Sequence, residues 1–381
     1  MDFALTEEQE MLRQAVRTFA EKEILPVREE LDEKEEFGYG ITQKMFDLGY
    51  FGVVIPEEYG GMGMDYQSYI LVVEELARVD ACQAATVAAG TSLGAAPIYY
   101  YGSEKQRREL LPEILQGKLW GFGLTEPDAG SDAGGTKTKA VLKDGRWVIN
   151  GSKIFITNAS TKITMGSIIQ AVTGEREGGK KEYTCFLVRQ DRPGFTAKPM
   201  HKKMTWRSSN TSEIYLEDVE VADEDILGRR GEGFHQMLET LDNGRLAIAA
   251  MGVGGAQGAF EAALRYSRER KQFGRPISQF QITAFKLADM ATEIEAARNL
   301  LYKACWLKDN GKPFGKEAAM AKLYASEVMK RVTHEAVQIY GGYGLMEEYP
   351  VAKFYRDQRL LEIGEGTSEM QRLVIARKLG I

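Results

Sequence analysis

The chain has 381 residues, a formal net charge of −6 and a hydrophobic fraction of 44%. This length predicts two or three domains with a sizeable buried interior, because a single core rarely extends over so many residues. Lys and Arg are interspersed with Asp and Glu, and no apolar run approaches the roughly eighteen residues of a membrane span, so we expect neither nucleic-acid binding nor membrane insertion.

The first residues and the cysteines indicate a reducing compartment. Residues 1–8 are acidic and lack the basic and apolar regions of a secretory signal or the Arg-rich bias of a transit peptide. The three cysteines lie far apart, which argues against a disulfide framework or a zinc site, and the three histidines are equally dispersed. We therefore predict a cytoplasmic protein without a metal.

Helical periodicity dominates the first third of the chain. Residues 6–9 have the spacing of a capping box, and the apolar residues that follow keep a helical period as far as Pro26. Further helical patterns cover residues 41–48, 66–79 and 103–115. We predict an N-terminal α-helical domain over residues 1–117.

The pattern changes from helix to strand near residue 118. Residues 140–149 carry two β-rich arms around Asp144-Gly145, which is a strong hairpin signal. Short β-branched or aromatic runs follow at 167–172, 183–188 and 212–216. We predict a middle β domain, a barrel or a sandwich, over residues 118–228.

Long helical patterns return beyond Gly233. Residues 233–272, 280–309 and 316–340 are each long enough for a helix of a bundle. Residues 249–255 are rich in Ala and Gly and contain GxG, but no strand precedes them, so we interpret them as a helix-packing face and not as a dinucleotide fingerprint. We predict a C-terminal helical bundle over residues 229–381, and a fold class that is α+β but mainly α.

Two polar clusters lie in the first half of the predicted β domain. Residues 122–132 combine exposed backbone, hydroxyl groups and a turn, and they could hydrogen-bond the rim of a planar heterocycle or form a domain linker. Residues 151–159 place Phe155 two positions before Thr157 on a predicted strand, where the ring could face the same ligand or the core.

Two further clusters lie near the ends of the predicted C-terminal helices. Residues 268–277 carry guanidinium groups that can grip a pyrophosphate, although a basic helix end also complements the helix dipole. Residues 338–344 end a helix with bare glycine backbone, which could lie against an adenosine diphosphate moiety or form a C-cap. In isolation, each of these clusters has an ordinary structural explanation.

A carboxylate between two glycines stands close to the C-terminus. The glycines of Gly364-Glu365-Gly366 allow the backbone to approach a ligand closely, and Glu365 alone of the three could accept a proton. The alternative is a loop that opens a final helix, with Thr367 or Ser368 as the N-cap and a solvated Glu365.

Taken in this order and at these separations, the four clusters and residues 363–369 resemble the acyl-CoA dehydrogenase flavoproteins over essentially the whole chain. The resemblance implies an N-terminal α domain, a middle β domain and a C-terminal four-helix bundle, in a homotetramer with one FAD per subunit. It implies an acyl-CoA substrate, dehydrogenated to a 2,3-enoyl-CoA, and an electron-transferring flavoprotein as the acceptor. Glu365 matches the base that removes the α-proton.

The resemblance also implies further site residues. The flavin ring and the phosphate path would be lined by Phe122, Leu124, Thr125, Gly130, Ser131, Phe155, Ile156 and Thr157. FAD of a neighbouring subunit would be reached by Arg270, Gln272, Phe273, Ile277, Phe280, Gln281, Gln338, Ile339, Tyr340, Gly341 and Gly342. Thr367, Ser368 and Glu369 would close over the cofactor. The thioester ligand or its CoA portion would contact Ser131, Asp242, Asn243, Gly244, Arg245, Gly364, Gly366, Thr91 and Leu93.

The sequence departs from the family pattern at positions that bear on the substrate. Some members carry their base immediately before the arginine that matches Arg245, but Gly244 stands there and cannot act. Gly364 replaces a tyrosine of many straight-chain members, which should widen the site and could admit a branched or cyclic acyl group. The small residues at 88–97 indicate either room for the acyl chain or close helix packing.

Three other activities fit the same scaffold. They are a dehydrogenase for cyclic or branched acyl-CoA, an acyl-CoA oxidase that uses oxygen, and a non-redox lyase or flavin-stabilised binding protein. The presence of Glu365 weighs against the last of these, because relatives of that kind have lost the base.

Overall fold

The N-terminal part of the chain is helical. The computed structural model describes residues 4–381. Thr6 caps the first helix in a capping box with Gln9, as predicted. This part contains seven α-helices: α1 (Glu7–Phe19), α2 (Arg28–Lys34), α3 (Tyr39–Asp47), α4 (Tyr66–Ala77), α5 (Ala81–Ala88), α6 (Ala96–Tyr101) and α7 (Glu104–Leu115). The sequence patterns located α1, α3, α4 and α7, while α2, α5 and α6 were not predicted.

An eight-stranded sheet forms the middle part. Its strands are β1 (Leu119–Gly123), β2 (Lys139–Lys143), β3 (Arg146–Thr157), β4 (Thr164–Arg176), β5 (Lys180–Arg189), β6 (Phe195–Pro199), β7 (Thr211–Val221) and β8 (Ile226–Leu227). The order is β6-β7-β3-β2-β4-β5-β8, and β1 pairs with β4 in parallel. The predicted hairpin is confirmed, because Lys143 pairs with Arg146 across Asp144-Gly145.

Long helices make up the C-terminal part. They are α8 (Gly233–Glu269), α9 (Gln281–Asp309) and α10 (Gly315–Tyr340), and α11 (Pro350–Leu361) and α12 (Ser368–Lys378) follow. The predicted first helix runs three residues too far, because Lys271 and Gln272 (β9) pair with Arg275 and Pro276 (β10). The Gly-rich face of α8 does pack closely, since a Cβ at Gly252 would lie 2.9 Å from the Ala325 carbonyl oxygen.

Segments of π-helix interrupt the N-terminal helices at Ala20–Ile24 and Ala89–Ala95. The second segment lies against the sheet, because a Cβ at Gly94 would come 3.2 Å from the Trp120 carbonyl oxygen of β1. Single π-helical turns are frequent at functional sites. This segment contains Thr91 and Leu93, which the sequence assigned to the substrate.

A buried ion cluster joins the three parts. Lys353 Nζ of α11 lies 2.9 Å from Asp80 Oδ1 before α5 and 2.5 Å from Asp357 Oδ2. Trp206, on the loop between β6 and β7, donates its indole N–H to the Asp357 carbonyl oxygen at 3.1 Å. Asp80, Cys82 and Asp357 offer atoms within 4.8 Å of one another, but the Lys353 ammonium group already lies among them.

The domain boundaries at 117/118 and 228/229 stay predictions. Of the helices within residues 4–381, none combines the length and apolar character needed to cross a bilayer.

Candidate active site

Glu365 lies in the turn between α11 and α12. Its backbone has a positive φ of 52°, and Gly366 follows with φ 97°. Thr367 then caps α12 by accepting a hydrogen bond from the Met370 N–H at 3.3 Å. The helix entrance that the sequence offered as an alternative is therefore present, and it coexists with an inward-facing carboxyl group.

The Glu365 carboxyl group is desolvated. Its Oε2 is buried and has no hydrogen-bond partner among residues 4–381. Burial raises the pKa of Glu365 from its usual 4.5 to about 7, against the opposing positive charges of Lys322 and Arg245. A carboxyl group with this pKa can accept a proton near neutral pH, as a general base must.

Gly244 of α8 lies directly beneath this carboxyl group. A Cβ at Gly244 would overlap the carboxylate and come 2.8 Å from Glu365 Cδ. The sequence identified Gly244 only as a position without a rival base. The structure adds that its missing side chain makes room for Glu365.

Gly244→Ala is expected to displace Glu365 and to slow flavin reduction by an acyl-CoA by about 10²-fold, since a shift of about 1 Å at a reacting group has such an effect. The measurement is the stopped-flow rate of anaerobic flavin bleaching. Gly40→Ala is the matched control, because a Cβ at Gly40 of α3 meets nothing within 4 Å. An unchanged rate in Gly244→Ala would contradict the role of this glycine.

Burial of Glu365 also predicts a pH-dependent stability. Between pH 4.5 and about 7 the native state holds a proton that the unfolded chain has released, so stability falls as pH rises through this window. The full cost above the window is about 3 kcal/mol. Glu365→Gln removes this cost. The Tm of the variant minus the Tm of the unsubstituted protein should therefore increase from pH 5 to pH 8. Equal Tm differences at the two pH values would be inconsistent with a buried, titrating carboxyl group.

Lys322 of α10 is a site residue that sequence reasoning missed. Its side chain is fully buried, and Nζ donates a hydrogen bond to the Gly366 carbonyl oxygen at 2.6 Å. Burial lowers the pKa of Lys322 to about 8, and the Glu365 charge opposes this effect. The available signal was a lysine directly after the Ala-rich stretch 318–321, whose composition is typical of a buried part of a helix.

Besides Gly244, helix α8 contributes Asp242, Asn243 and Arg245 to the candidate active site. Arg245 is buried and pairs with Asp242, and burial raises the pKa of Asp242 against this guanidinium charge. Tyr66 of α4 donates its hydroxyl to the Asn243 carbonyl oxygen at 2.8 Å. The Asn243 Oδ1 and Arg245 Nε atoms are buried without partners among residues 4–381. Polar atoms of this kind are suited to a polar ligand.

The small residues of the π-helical segment are closely packed. A Cβ at Gly90 would lie 2.7 Å from the Phe51 ring, and Gly94 approaches Trp120 as described above. Thr91 is buried and donates its hydroxyl to the Phe51 carbonyl oxygen at 3.1 Å, while Leu93 is half-buried. Of the two interpretations of this segment, close packing therefore holds at Gly90 and Gly94.

Gly364 differs from those packed glycines. A Cβ there would lie 2.9 Å from Leu360 Cδ2, which is the tip of a flexible side chain. An added side chain at Gly364 would therefore have to displace the Leu360 side chain, which can move, so packing does not strictly demand glycine at this position.

The first two sequence clusters are brought together by the strands that carry them. The Ile154 N–H donates to the Thr125 carbonyl oxygen at 3.0 Å. The buried Lys153 Nζ lies 2.7 Å from Glu126 Oε1 and 3.3 Å from the Leu124 carbonyl oxygen. Glu126 also accepts hydrogen bonds from the Lys137 and Thr138 N–H groups. This pair therefore fixes the loop after β1 to β3.

Phe155 stands out in the second cluster. Its side chain is 61% exposed and its backbone has a positive φ of 60°. Such a conformation is unusual for an aromatic residue and indicates a functional constraint. Phe122 and Thr157 are half-buried, as is Thr125, whereas Gly130 and Ser131 are exposed and Leu124 and Ile156 are buried.

The third and fourth clusters also meet. Arg270 lies over the Tyr343 ring at 5.7 Å, and Phe273, which is 94% exposed, contacts Phe280 with ring centroids 6.0 Å apart. Tyr340 instead faces the core and stacks on Tyr266 at 4.0 Å. Besides Phe273, six of these predicted FAD residues are exposed: Arg270, Gln272, Gln281, Gln338, Gly341 and Gly342. Ile277 and Ile339 are half-buried, as is Phe280, whereas Ser368 is buried and Glu369 exposed.

A helical part, a sheet and a second helical part that hold a desolvated carboxyl group define the acyl-CoA dehydrogenase class. Family models match the acyl-CoA dehydrogenase N-terminal domain at residues 6–118, the middle domain at 121–219 and the C-terminal domain at 231–380. The chain belongs to the acyl-CoA dehydrogenase family, whose members are oxidoreductases, and the resemblance read from the sequence is confirmed.

Individual relatives match over their full length. The chain is 52% identical to the probable acyl-CoA dehydrogenase YngJ of Bacillus subtilis, with 100% of both chains covered. It is 44% identical to the solved butyryl-CoA dehydrogenase of Megasphaera elsdenii, with a TM-score of 0.96 and 100% of both chains covered. A chain in a structure described as the electron transferring flavoprotein of Acidaminococcus fermentans is 46% identical, with a TM-score of 0.96, and the match covers 100% of this chain and 99% of that one.

Proposed function

We propose that this protein dehydrogenates an acyl-CoA thioester to the 2,3-enoyl-CoA, with Glu365 as the base. The observation that carries the proposal is the buried, unpaired Glu365 Oε2, whose carboxyl group titrates near neutrality. Removal of a proton from carbon α to a thioester needs such a base in a site shielded from water. FAD, when bound, supplies the acceptor for the hydride from the β carbon.

The backbone at Glu365 supports a second role. Its N–H donates to no acceptor among residues 4–381, and the same holds for the Gly366 and Thr367 N–H groups, whereas the Gly364 and Ser368 N–H groups donate to carbonyl oxygens. An N–H group in this position can stabilise the negative charge that develops on the thioester oxygen as the proton leaves. Glu365 would then contribute a base and a hydrogen-bond donor from one residue.

The residues present fit an FAD molecule. The exposed ring of Phe155 and the polar loop at residues 122–131 would hold the flavin and the phosphates. The exposed cluster of Arg270, Gln272, Phe273, Gln281 and residues 338–342 would reach FAD of a neighbouring subunit, with Thr367 to Glu369 above it. Exposure of large apolar and cationic groups on one surface supports an assembly, and we propose the homotetramer that the resemblance implies.

We propose a short acyl chain as the substrate. Gly90 packs closely against Phe51 and Gly94 against Trp120, so the small residues beside Thr91 and Leu93 are used for packing and do not make room for a long acyl chain. The butyryl-CoA dehydrogenase described above supports the same choice. A branched or cyclic acyl group of similar length is the second candidate, because Gly364 carries no side chain where many straight-chain members of the family have a tyrosine. An electron-transferring flavoprotein is the proposed acceptor, which the relationship to the Acidaminococcus structure supports.

The test is anaerobic bleaching of the oxidised flavin by a panel of straight, branched and cyclic acyl-CoA thioesters of graded length. We expect rapid bleaching with short chains and slower bleaching as chains lengthen. Oxygen is then admitted to the reduced protein. Rapid peroxide formation would favour an oxidase, and slow reoxidation that an electron-transferring flavoprotein accelerates would favour the dehydrogenase. A protein that bleaches with none of the panel would overturn the proposed function.

A further inference from the structure

The carbonyl group of Gly366 is held by two donors. Lys322 Nζ lies 2.6 Å from this oxygen, and Gln371 Nε2 of α12 lies 2.9 Å from it. Gln371 Nε2 also lies 3.3 Å from the Glu365 carbonyl oxygen. The turn that presents Glu365 is therefore fixed from α10 and from α12, although its backbone adopts positive φ at two successive residues.

A neutral donor would satisfy this carbonyl group, so a hydrogen bond alone does not explain a buried lysine. Gln371 already supplies one donor. Burying an ammonium group costs several kcal/mol in general, and such a group is rarely placed in a core without a counter-charge. Ala318, Ala319 and Ala325, which lie one turn from Lys322 on the same side of α10, are small, apolar and fully buried. The charge itself therefore calls for an explanation.

The charges around Glu365 and Lys322 explain why a charged residue is buried here. From α8 and α10, Glu365 faces the positive charges of Arg245 and Lys322, while the phenol groups of Tyr66 and Tyr69 face it from α4. The Arg245 charge is compensated by its partner Asp242. Around Lys322 lie Arg245, Glu365, Glu362 and Glu369. Glu362 is bound to Arg359 and to Lys330, and Glu369 is exposed, so among these three carboxylates only Glu365 has a buried oxygen without a partner.

We propose that Lys322 is a positioning residue for the base: its N–H group fixes the Gly366 carbonyl, and its positive charge keeps the desolvated Glu365 carboxyl group ionisable at neutral pH. The inference rests on the proposed role of Glu365. Without the ammonium group, desolvation would act on Glu365 opposed by Arg245 alone, and the carboxyl group would stay protonated to higher pH.

The test uses the FAD-loaded, full-length protein and two substitutions. Lys322→Met removes the donor and the charge, whereas Lys322→Gln removes the charge and retains an N–H donor. Lys330→Met is the matched control, because Lys330 lies on the same helix, is half-exposed and pairs with Glu362. The infrared band of the protonated Glu365 carboxyl group is titrated against pH, and it is assigned by subtracting the spectrum of the same variant that also carries Glu365→Gln.

We expect a midpoint near pH 7 in the unsubstituted protein and in Lys330→Met, and a midpoint higher by about 1 to 3 units in both Lys322 variants. The rate of anaerobic flavin reduction should rise with pH, and the midpoint of this pH profile should equal the midpoint of the infrared titration for each variant. Retained flavin absorbance and Tm report that each variant is folded.

A midpoint for Lys322→Gln equal to that of the unsubstituted protein would overturn the role of the charge, and so would an unshifted Lys322→Met. A shifted midpoint in a protein that no acyl-CoA bleaches would refute the proposed function, while the electrostatic role of Lys322 would stand. The infrared titration and the bleaching assay therefore separate the two failures.

Discussion

Glu365→Gln is expected to lower the rate of flavin reduction by an acyl-CoA by about 10² to 10⁴-fold, which is the usual contribution of a positioned base. The substitution keeps the size of the side chain and removes its ability to accept the α-proton. The alternative position of the base in this family cannot take its place, because it is Gly244 here and lies beneath the Glu365 carboxyl group. The stopped-flow rate of anaerobic bleaching is the measurement.

Glu327→Gln is the matched control for this substitution. Glu327 of α10 pairs with Arg372 of α12 at 2.6 Å, outside the site, so its replacement should leave the rate unchanged. Binding of the acyl-CoA to Glu365→Gln should persist and is measured by the perturbation of the flavin spectrum. If the rate in Glu365→Gln fell by less than tenfold, the base would have to be sought elsewhere.

Lys153→Met is expected to have the largest effect on stability. Lys153 and Glu126 are both buried, and loss of the lysine would leave the Glu126 carboxylate uncompensated, which destabilises a protein by about 3 to 5 kcal/mol. Because this pair holds the loop after β1 to β3, we also expect weaker retention of FAD. Thermal unfolding and flavin absorbance after gel filtration are the measurements.

Two further variants test whether the unpaired Glu126 charge causes the loss of stability in Lys153→Met. Lys153→Met combined with Glu126→Gln removes the unpaired charge and should recover part of the lost Tm. Lys137→Met breaks the exposed pair with Asp128 at 2.7 Å and should change the Tm little, because solvent screens this pair. A Lys153→Met protein as stable as Lys137→Met would show that the buried pair does not hold this part of the sheet together.

Local signals predicted the elements that depend on nearby residues. The capping box at Thr6 and the Asp144-Gly145 turn act over a few residues, and both were located correctly. The end of α8 at Glu269 was missed, because the short β9–β10 pairing that stops the helix has the same charged composition as the helix itself. The short helix α5 is buried along its whole length and therefore shows little amphipathic pattern, and α6 has only six residues, too few to show a period.

Only the site residues that belong to a sequence motif could be predicted. Glu365 was singled out by its flanking glycines and by the order of the other clusters along the chain. Lys322 lies 43 residues before Glu365 in a different helix, and nothing local to either residue shows that they meet in space. The spatial role of Gly244 was equally hidden, since a sequence shows which side chain is missing and not what fills the space.

The buried ion cluster around Lys353 has a consequence for how the protein can be divided. Its ammonium group pairs with Asp80 of the N-terminal part and with Asp357 of the C-terminal part. Trp206 of the middle part donates hydrogen bonds to the carboxylate and the backbone carbonyl group of Asp357. Excision of the N-terminal or C-terminal part would leave a charged group in the interior without its partner. The three parts are thus recognisable as separate units in the sequence but are not interchangeable modules, and proteolytic fragments that end between them should fail to persist as folded species.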